Sequence, residues 1–568
     1  MRRNTTIRAL AVVAAAGLGL TACTSSDTKP SASSSPTVRT LVVQDKPLPS
    51  FTNDFNPLDS NSFGSNENGN SLIYEPLFMF NSLKSDQAPI PWLAKSFAWS
   101  NGNRTLTLAL RHGVKWSDGQ AFTSADVKFT FELLRRTPAA NTGGVPAITS
   151  MTTPDANTLV MKFASSQSAN LVAIGNQIIL PQHLWVNNIY PTTSVISGTK
   201  AIGTGPYLVD KAGSQEVTFK VNPNYWGGSP KVKRISFPAY ANNDAVEQAL
   251  ASGKIDLTGN DINNVQKAFV AKDPAHNHLF RPDAPYFPAG NTVSLLLNNN
   301  SKNAPALADV NVRKAISAAL DRRSMATKCE TNYELPASSS GGLTLPIDQG
   351  LLSAAQTNDL KPAPDTAAVS SLMTTAGYTK SGGRWTKGGK SVKFTIIDPN
   401  SFSDYWCDAQ AMVRDLNAQG FDVSANGAFD FNSWNATIAN GKFDAAVHWG
   451  QGVTTFQRLQ FILDPNTTAA IGQTAAGDYD RYDSAKARAA VATFQNATTP
   501  TSQKNALNTL QQIMSDDVPA VPVLYGAAWY EYSTARFTGW PTSTNAYINP
   551  TPNSQAYEYM ILHLTPVP

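Results

Sequence analysis

Residues that carry covalent chemistry are sparse in this sequence, and their spacing fits no catalytic constellation. There is no Gly-x-Ser-x-Gly elbow to expose a serine, no His-Glu-x-x-His pair to hold zinc, and no phosphate-cradling loop ending in Gly-Lys. Gly203 and Gly205 lack the third glycine of a nucleotide loop, and Pro206 removes an N–H that a phosphate would use. They read instead as a chain crossing with a hinge role. The six histidines are His112, His183, His276, His278, His448 and His563. Only His276 and His278 are close. With Asp273, Pro274 and Asn277 around them they read as a solvated loop, so neither a metal nor a cofactor is expected. Ser338-Ser-Ser-Gly-Gly342 reads as a flexible loop. A hydrolase stays open as the remote alternative, because the paired carboxylates of a glycosidase have no fixed spacing in a sequence. The main expectation is a protein that is not an enzyme.

The three cysteines divide in two ways. Cys23 ends the string Leu20-Thr-Ala-Cys23, which resembles a lipobox. Before it come Arg2, Arg3 and Arg8 and an apolar run from Ala9 to Leu20. That run is shorter than the roughly 20 residues a bilayer span needs. Residues 1–22 therefore read as a signal peptide and Cys23 as the lipidated residue. Residues 23–40 are rich in Ser, Thr and Pro and read as a flexible tether. The expected location is extracytoplasmic, anchored to the cell membrane by lipid. Cys329 and Cys407 remain as a pair in an oxidising compartment, where a disulfide is expected; two buried thiols are the alternative.

Charge excludes one class of partner. Of the 45 Lys and Arg, three precede Cys23, which leaves 42 against 41 Asp and Glu. No basic arm is present, so nucleic acid is not an expected partner.

The elements that must position any site are mixed. Arg104 to Leu110 alternates as a strand. Thr123 and Asp126 form a capping box for a helix with Val127, Thr130, Phe131 and Leu134 on one face. Asp309 caps a helix carrying Val312, Ala315, Ile316, Ala319 and Leu320. Another helix opens at Asn243 and ends near Gly253. Val521 to Tyr525 reads as a strand that Pro522 confines to an edge or to its start. Trp116-Ser-Asp-Gly119 reads as a turn with Trp116 as a core anchor. More than 500 residues follow the tether, too many for one core.

Four strings together resemble the bacterial extracellular solute-binding proteins of family 5, the dipeptide-, oligopeptide- and nickel-binding group. They are Val114-Lys-Trp-Ser-Asp-Gly-Gln-Ala-Phe-Thr-Ser-Ala-Asp-Val-Lys-Phe-Thr-Phe-Glu132, Gly203-Thr-Gly-Pro-Tyr207, Asn222-Pro-Asn-Tyr-Trp-Gly-Gly228 and Asn311-Val-Arg-Lys-Ala-Ile-Ser-Ala-Ala-Leu-Asp-Arg322. The resemblance implies an α/β, bilobed clamp like the periplasmic binding proteins (type II, cluster C) with an inserted extra domain. It places a discontinuous lobe I at 41–70, 203–290 and 525–568, the inserted domain II at 71–202, and lobe III at 291–524. It also implies ABC permease and ATPase subunits as partners of a monomer, with hinge closure over the ligand.

Peptide-binding members of that family place an Asp just after a strand of the far lobe, where it pairs with the ligand ammonium. The matching strand is Phe443-Asp-Ala-Ala-Val-His-Trp449, and no acid follows it before Asp464. This departure puts capture of a free N-terminus in doubt. The chain offers instead Trp449 and Gln451 after the strand, Trp434 and Asn432 before it, and Tyr405 and Trp406 upstream. Rings that stack on pyranose faces and amides that satisfy hydroxyls would suit an oligosaccharide. The string Gly539-Trp-Pro-Thr-Ser-Thr-Asn-Ala-Tyr547 is similar to cello-oligosaccharide-binding members. Peptide-class transport is the leading expectation and oligosaccharide the alternative.

Overall fold

Alternation decides the first sheet. In the strand Thr105–Leu110, Leu106, Leu108 and Leu110 are buried while the intervening residues stay half-buried. It sits in a four-stranded antiparallel sheet ordered Ala94–Ser100, Thr105–Leu110, Thr158–Phe163 and Ile148–Asp155. The helix Ser124–Arg136 covers one face of this sheet. Its start is the expected capping box, with the Asp126 carboxylate accepting the Thr123 N–H at 2.8 Å. Val127, Thr130, Phe131 and Leu134 are all buried. Trp116 is fully buried beside Phe122, and Gly119 takes a left-handed φ of 93°, which a side chain would strain.

The computed structural model describes residues 39–84, 87–188 and 191–568. The signal segment, Cys23 and all but the last residues of the tether lie outside the described residues.

Two larger sheets carry the rest. A seven-stranded sheet is ordered Asn277–Leu279, Glu531–Ser533, Leu257–Thr258, Thr40–Gln44, Arg234–Pro238, Glu216–Val221 and Tyr207–Ala212. Thr40–Gln44 runs parallel to both neighbours, Leu41 opposite Ile235 and Val43 opposite Leu257. Phe55 packs edge-on against Phe219 and Phe63 against Phe237, with Phe219 and Phe237 on strands of this sheet. A six-stranded mixed sheet is ordered Leu335–Pro336, Ala520–Ala527, Ala289–Leu297, Ala445–Trp449, Lys393–Ile397 and Asp422–Asn426. Its helices Val310–Ala319, Thr366–Thr375 and Ser403–Gln419 share its core through residues such as Val312, Met373 and Met412.

Pro522 is not on an edge strand. Ala520–Ala527 is paired on both sides, and the ladder to Ala289–Leu297 slips between Val293 and Ser294, facing Leu524 and Pro522. The bulge and the short partner Leu335–Pro336 accommodate the missing N–H. The Pro522 carbonyl is not idle: it accepts from buried Arg322 Nε at 2.9 Å.

Gly203 and Gly205 do not take a left-handed φ and are needed for close approach. A Cβ on Gly203 would lie 1.8 Å from the Ile73 carbonyl oxygen, and one on Gly205 2.6 Å from that of Leu72. Cys329 and Cys407 form a disulfide with Cα atoms 5.5 Å apart. It ties the end of the helix Arg322–Lys328 to the first turns of Ser403–Gln419.

Candidate ligand site

The two parallel strands Thr40–Gln44 and Leu257–Thr258 end side by side, and their next residues turn toward the six-stranded sheet. Ligands of open α/β sheets sit beyond such carboxyl ends. Here the ends open on a cavity of about 140 Å³. One wall is Asp45 and Lys46, Asn260 and Asp261, and Trp529 just before Glu531–Ser533. The opposite wall is Asn291, Trp449 at the end of Ala445–Trp449, Phe431, and Phe402, Asp404 and Tyr405 where Ser403–Gln419 begins.

Aromatic packing fixes this second wall. The Tyr405 and Trp449 rings lie 6.0 Å apart at 31°. Trp449 stacks on Trp434 at 5.5 Å, and Trp434 on His448 at 5.4 Å. Phe402 and Phe431 are 6.2 Å apart. Lys46 Nζ sits 4.5 Å from the centre of the Phe431 ring, a cation–π contact.

Carboxyls crowd the same place. Asp404 is 6% exposed, and burial pushes it up to about 6. Asp45 is 2% exposed and rises to about 6 through burial, held back by Lys46 at 3.8 Å. Asp261 is raised well above the usual carboxylate range by burial and then by Asp404, Glu247 and Asp408. Behind the wall, Glu330, Glu334 and Asp408 are buried and pushed up by lost hydration, and all feel Asp404. Asp398 and Glu531 are raised in the same way. The disulfide forces part of this crowding, since Glu330 follows Cys329 and Asp408 follows Cys407. Glu334 is the partly satisfied member, accepting from Ala527 N–H at 2.7 Å and from the Tyr405 hydroxyl at 3.2 Å.

The six residues singled out in the sequence separate here. Trp449 and Tyr405 line the cavity together. Asn432 accepts from Asn66 Nδ2 at 3.3 Å across the two sheet bodies. Trp406 packs on the core of the six-stranded sheet. Trp434 is fully buried behind Trp449, which rules out direct ligand contact. Gln451 is exposed and lines a different cavity of about 310 Å³ with Asn176, Gln177, Gln457 and Gln460, between the four-stranded and six-stranded bodies. Sequence reading missed Asp45, Asp261, Asp404, Asn291 and Trp529. The available signal was positional: Asp45 and Asp261 each fall shortly after a short apolar strand.

Two sheet-centred bodies enclose a small cavity between strand ends. The comparisons give the family. Residues 88–465 match the bacterial extracellular solute-binding proteins, family 5 Middle, and the chain belongs to that family. A Brucella ovis protein whose assigned name is that of an ABC transporter peptide-binding protein is 32% identical over 236 residues. That match covers 40% of this chain and 42% of the relative, less than half of its length. Among solved structures, a mannohexaose-bound periplasmic oligopeptide-binding protein of Thermotoga maritima superposes with a TM-score of 0.82 at 22% identity, covering 93% of this chain and 99% of that one. AppA of Bacillus subtilis, bound to a nonapeptide, gives 0.74 at 17% identity, with 93% and 99% covered. The fold is therefore the bilobed α/β fold of periplasmic binding proteins. Among the described residues, no helix is long and apolar enough to cross a membrane.

Proposed function

We propose that this chain is the lipid-anchored, extracytoplasmic receptor of an ABC importer and that it captures peptide-class solutes between its lobes. The observation that carries the reading is the cavity itself, walled by Asp45, Asp261 and Trp529 on one side and Asp404, Tyr405 and Trp449 on the other. Carboxylates that meet a cationic end, and rings that cover apolar side chains, suit a peptide. The three sheet groupings support a division into lobe I (41–70, 203–290, 525–568), domain II (71–202) and lobe III (291–524). Gly203 and Gly205 then lie where the chain leaves domain II. Cys23 supplies the anchor, permease and ATPase subunits supply transport, and the receptor acts as a monomer without turnover of its ligand.

A second reading, oligosaccharide capture, is favoured by the amide-lined cavity around Gln451 and Gln457. The test is a thermal-shift panel of short peptides and of β- and α-linked oligosaccharides. A ligand at a hundredfold excess over Kd adds about 2.7 kcal/mol to folded-state stability. Stabilisation by peptides upholds the reading; stabilisation by sugars alone replaces it.

A further inference from the structure

The lining of the aromatic cavity is unbalanced in charge: it carries Asp45, Asp261 and Asp404 against a single cation, Lys46. Both Asp45 carboxylate oxygens are buried without a hydrogen bond shorter than the 3.8 Å ion pair to Lys46. Asn291 Oδ1 on the facing wall is buried without a hydrogen-bond partner. Asp404 is met by backbone N–H groups at its own helix start, and neither Asp261 nor Asp404 takes part in an ion pair among the described residues. Two of the lining amides are engaged within the protein, Asn260 Nδ2 with Asp45 O at 3.0 Å and Asn243 Nδ2 with Ser403 Oγ at 3.2 Å. The one cation in the cavity, Lys46, lies on Phe431 and acts on Asp45 and Glu67. The other wall has none. Buried acceptors left without donors cost free energy, and a donor-rich ligand removes that cost. Trp449, Trp529, Tyr405 and Phe402 add ring surface beside the carboxylates, the setting in which a desolvated cation is best held. A metal ion does not fit this lining, since no group of three or more His, Cys, Asp or Glu among the described residues has metal-holding geometry.

The geometry points to a cation receptor: an alkylammonium or guanidinium group of the solute enters between Asp261 and Asp404 and is framed by Trp449 and Trp529. This deepens the solute-binding reading above and rests on it. It assigns the charge-pairing role to two elements distant in sequence from the strand end at Trp449, where no acid stands. The cation belongs to a side chain or to a free amino terminus, and the two sources separate by experiment.

Calorimetric titration of the full chain with four probes tests this. They are the doubly blocked tripeptide Ala-Lys-Ala, the same peptide with norleucine in place of lysine, unblocked tri-alanine, and putrescine. The lysine peptide, tri-alanine or both should bind about tenfold or more tighter than the norleucine peptide. Which of the two binds identifies the source of the cation. In the Asp261→Asn/Asp404→Asn double variant that preference should vanish. The variant's own melting curve without ligand shows whether it is folded, and singly substituted Asp261→Asn keeps the test available if the double variant unfolds. Equal binding of all three peptides overturns the cation assignment and leaves the peptide reading standing. Binding of putrescine without any peptide overturns the peptide reading and keeps the assignment. Failure of every cationic probe overturns the assignment.

Discussion

At the scale of residues, the two tryptophans Trp434 and Trp449 show why type and spacing alone do not name a contact. They lie on neighbouring elements and stack on each other, yet Trp449 faces the cavity and Trp434 is fully buried. Their substitutions should therefore differ in kind. Trp449→Ala and Trp529→Ala should each weaken ligand affinity about tenfold in titration, the size of a lost desolvated cation–π contact. Trp434→Ala should instead cost about 3–5 kcal/mol in urea unfolding, from the cavity it leaves. Gln451→Ala should leave affinity at the aromatic cavity unchanged. A sequence shows an aromatic and not the direction it points, so Trp449 and Tyr405 were legible as candidates while Asp261 and Asp404 were not. A single acid after a strand or in a first helical turn looks like any solvated residue or helix-dipole partner until the opposite wall is known.

At the scale of elements, local chemistry was readable wherever it acts over a few residues. The Thr123–Asp126 box and the Asp309 cap stand where their side chains require, and Gly253 stands where the helix end needs a left-handed backbone. Pro522 misled because its remedy is a bulge between strands distant in sequence. The Cys329–Cys407 disulfide joins elements 78 residues apart and holds Glu330 near Asp408. Its removal in Cys329→Ser/Cys407→Ser should lower unfolding free energy by about 2–5 kcal/mol. The same variant should bind ligand more weakly, because Asp404 and Tyr405 sit on the helix that the disulfide fixes. Denaturant melts and titrations of the oxidised and variant proteins, run side by side, check both effects.

At the scale of the whole molecule, the buried acids make stability depend on pH in a definite direction. Asp45 and Asp404 hold protons in the folded state up to about 6, against 3.8 for an unperturbed side chain. The folded chain thus binds more protons than the unfolded chain in that window, and stability falls as pH rises through it. Buried His448, lowered to about 4, works the other way. It is one group against several, because Asp261, Glu330, Glu334 and Asp408 are raised as well. The ligand-free melting temperature should accordingly be higher near about pH 5 than near about pH 7. Ligand affinity should show the opposite trend, since a cation pairs only with ionised carboxylates. Lys46 and Glu67 face Asp45, and Glu247 and Asp408 face Asp261.

Hydrogen exchange tests the central claim, that solute is held between the strand ends of one sheet and the helix start of the other. With saturating lysine tripeptide, protection should rise together at residues 259–261 and 402–406, which lie on opposite walls of the aromatic cavity. Protection confined to residues 451–460, beside Gln451, or no change on either wall, would contradict it.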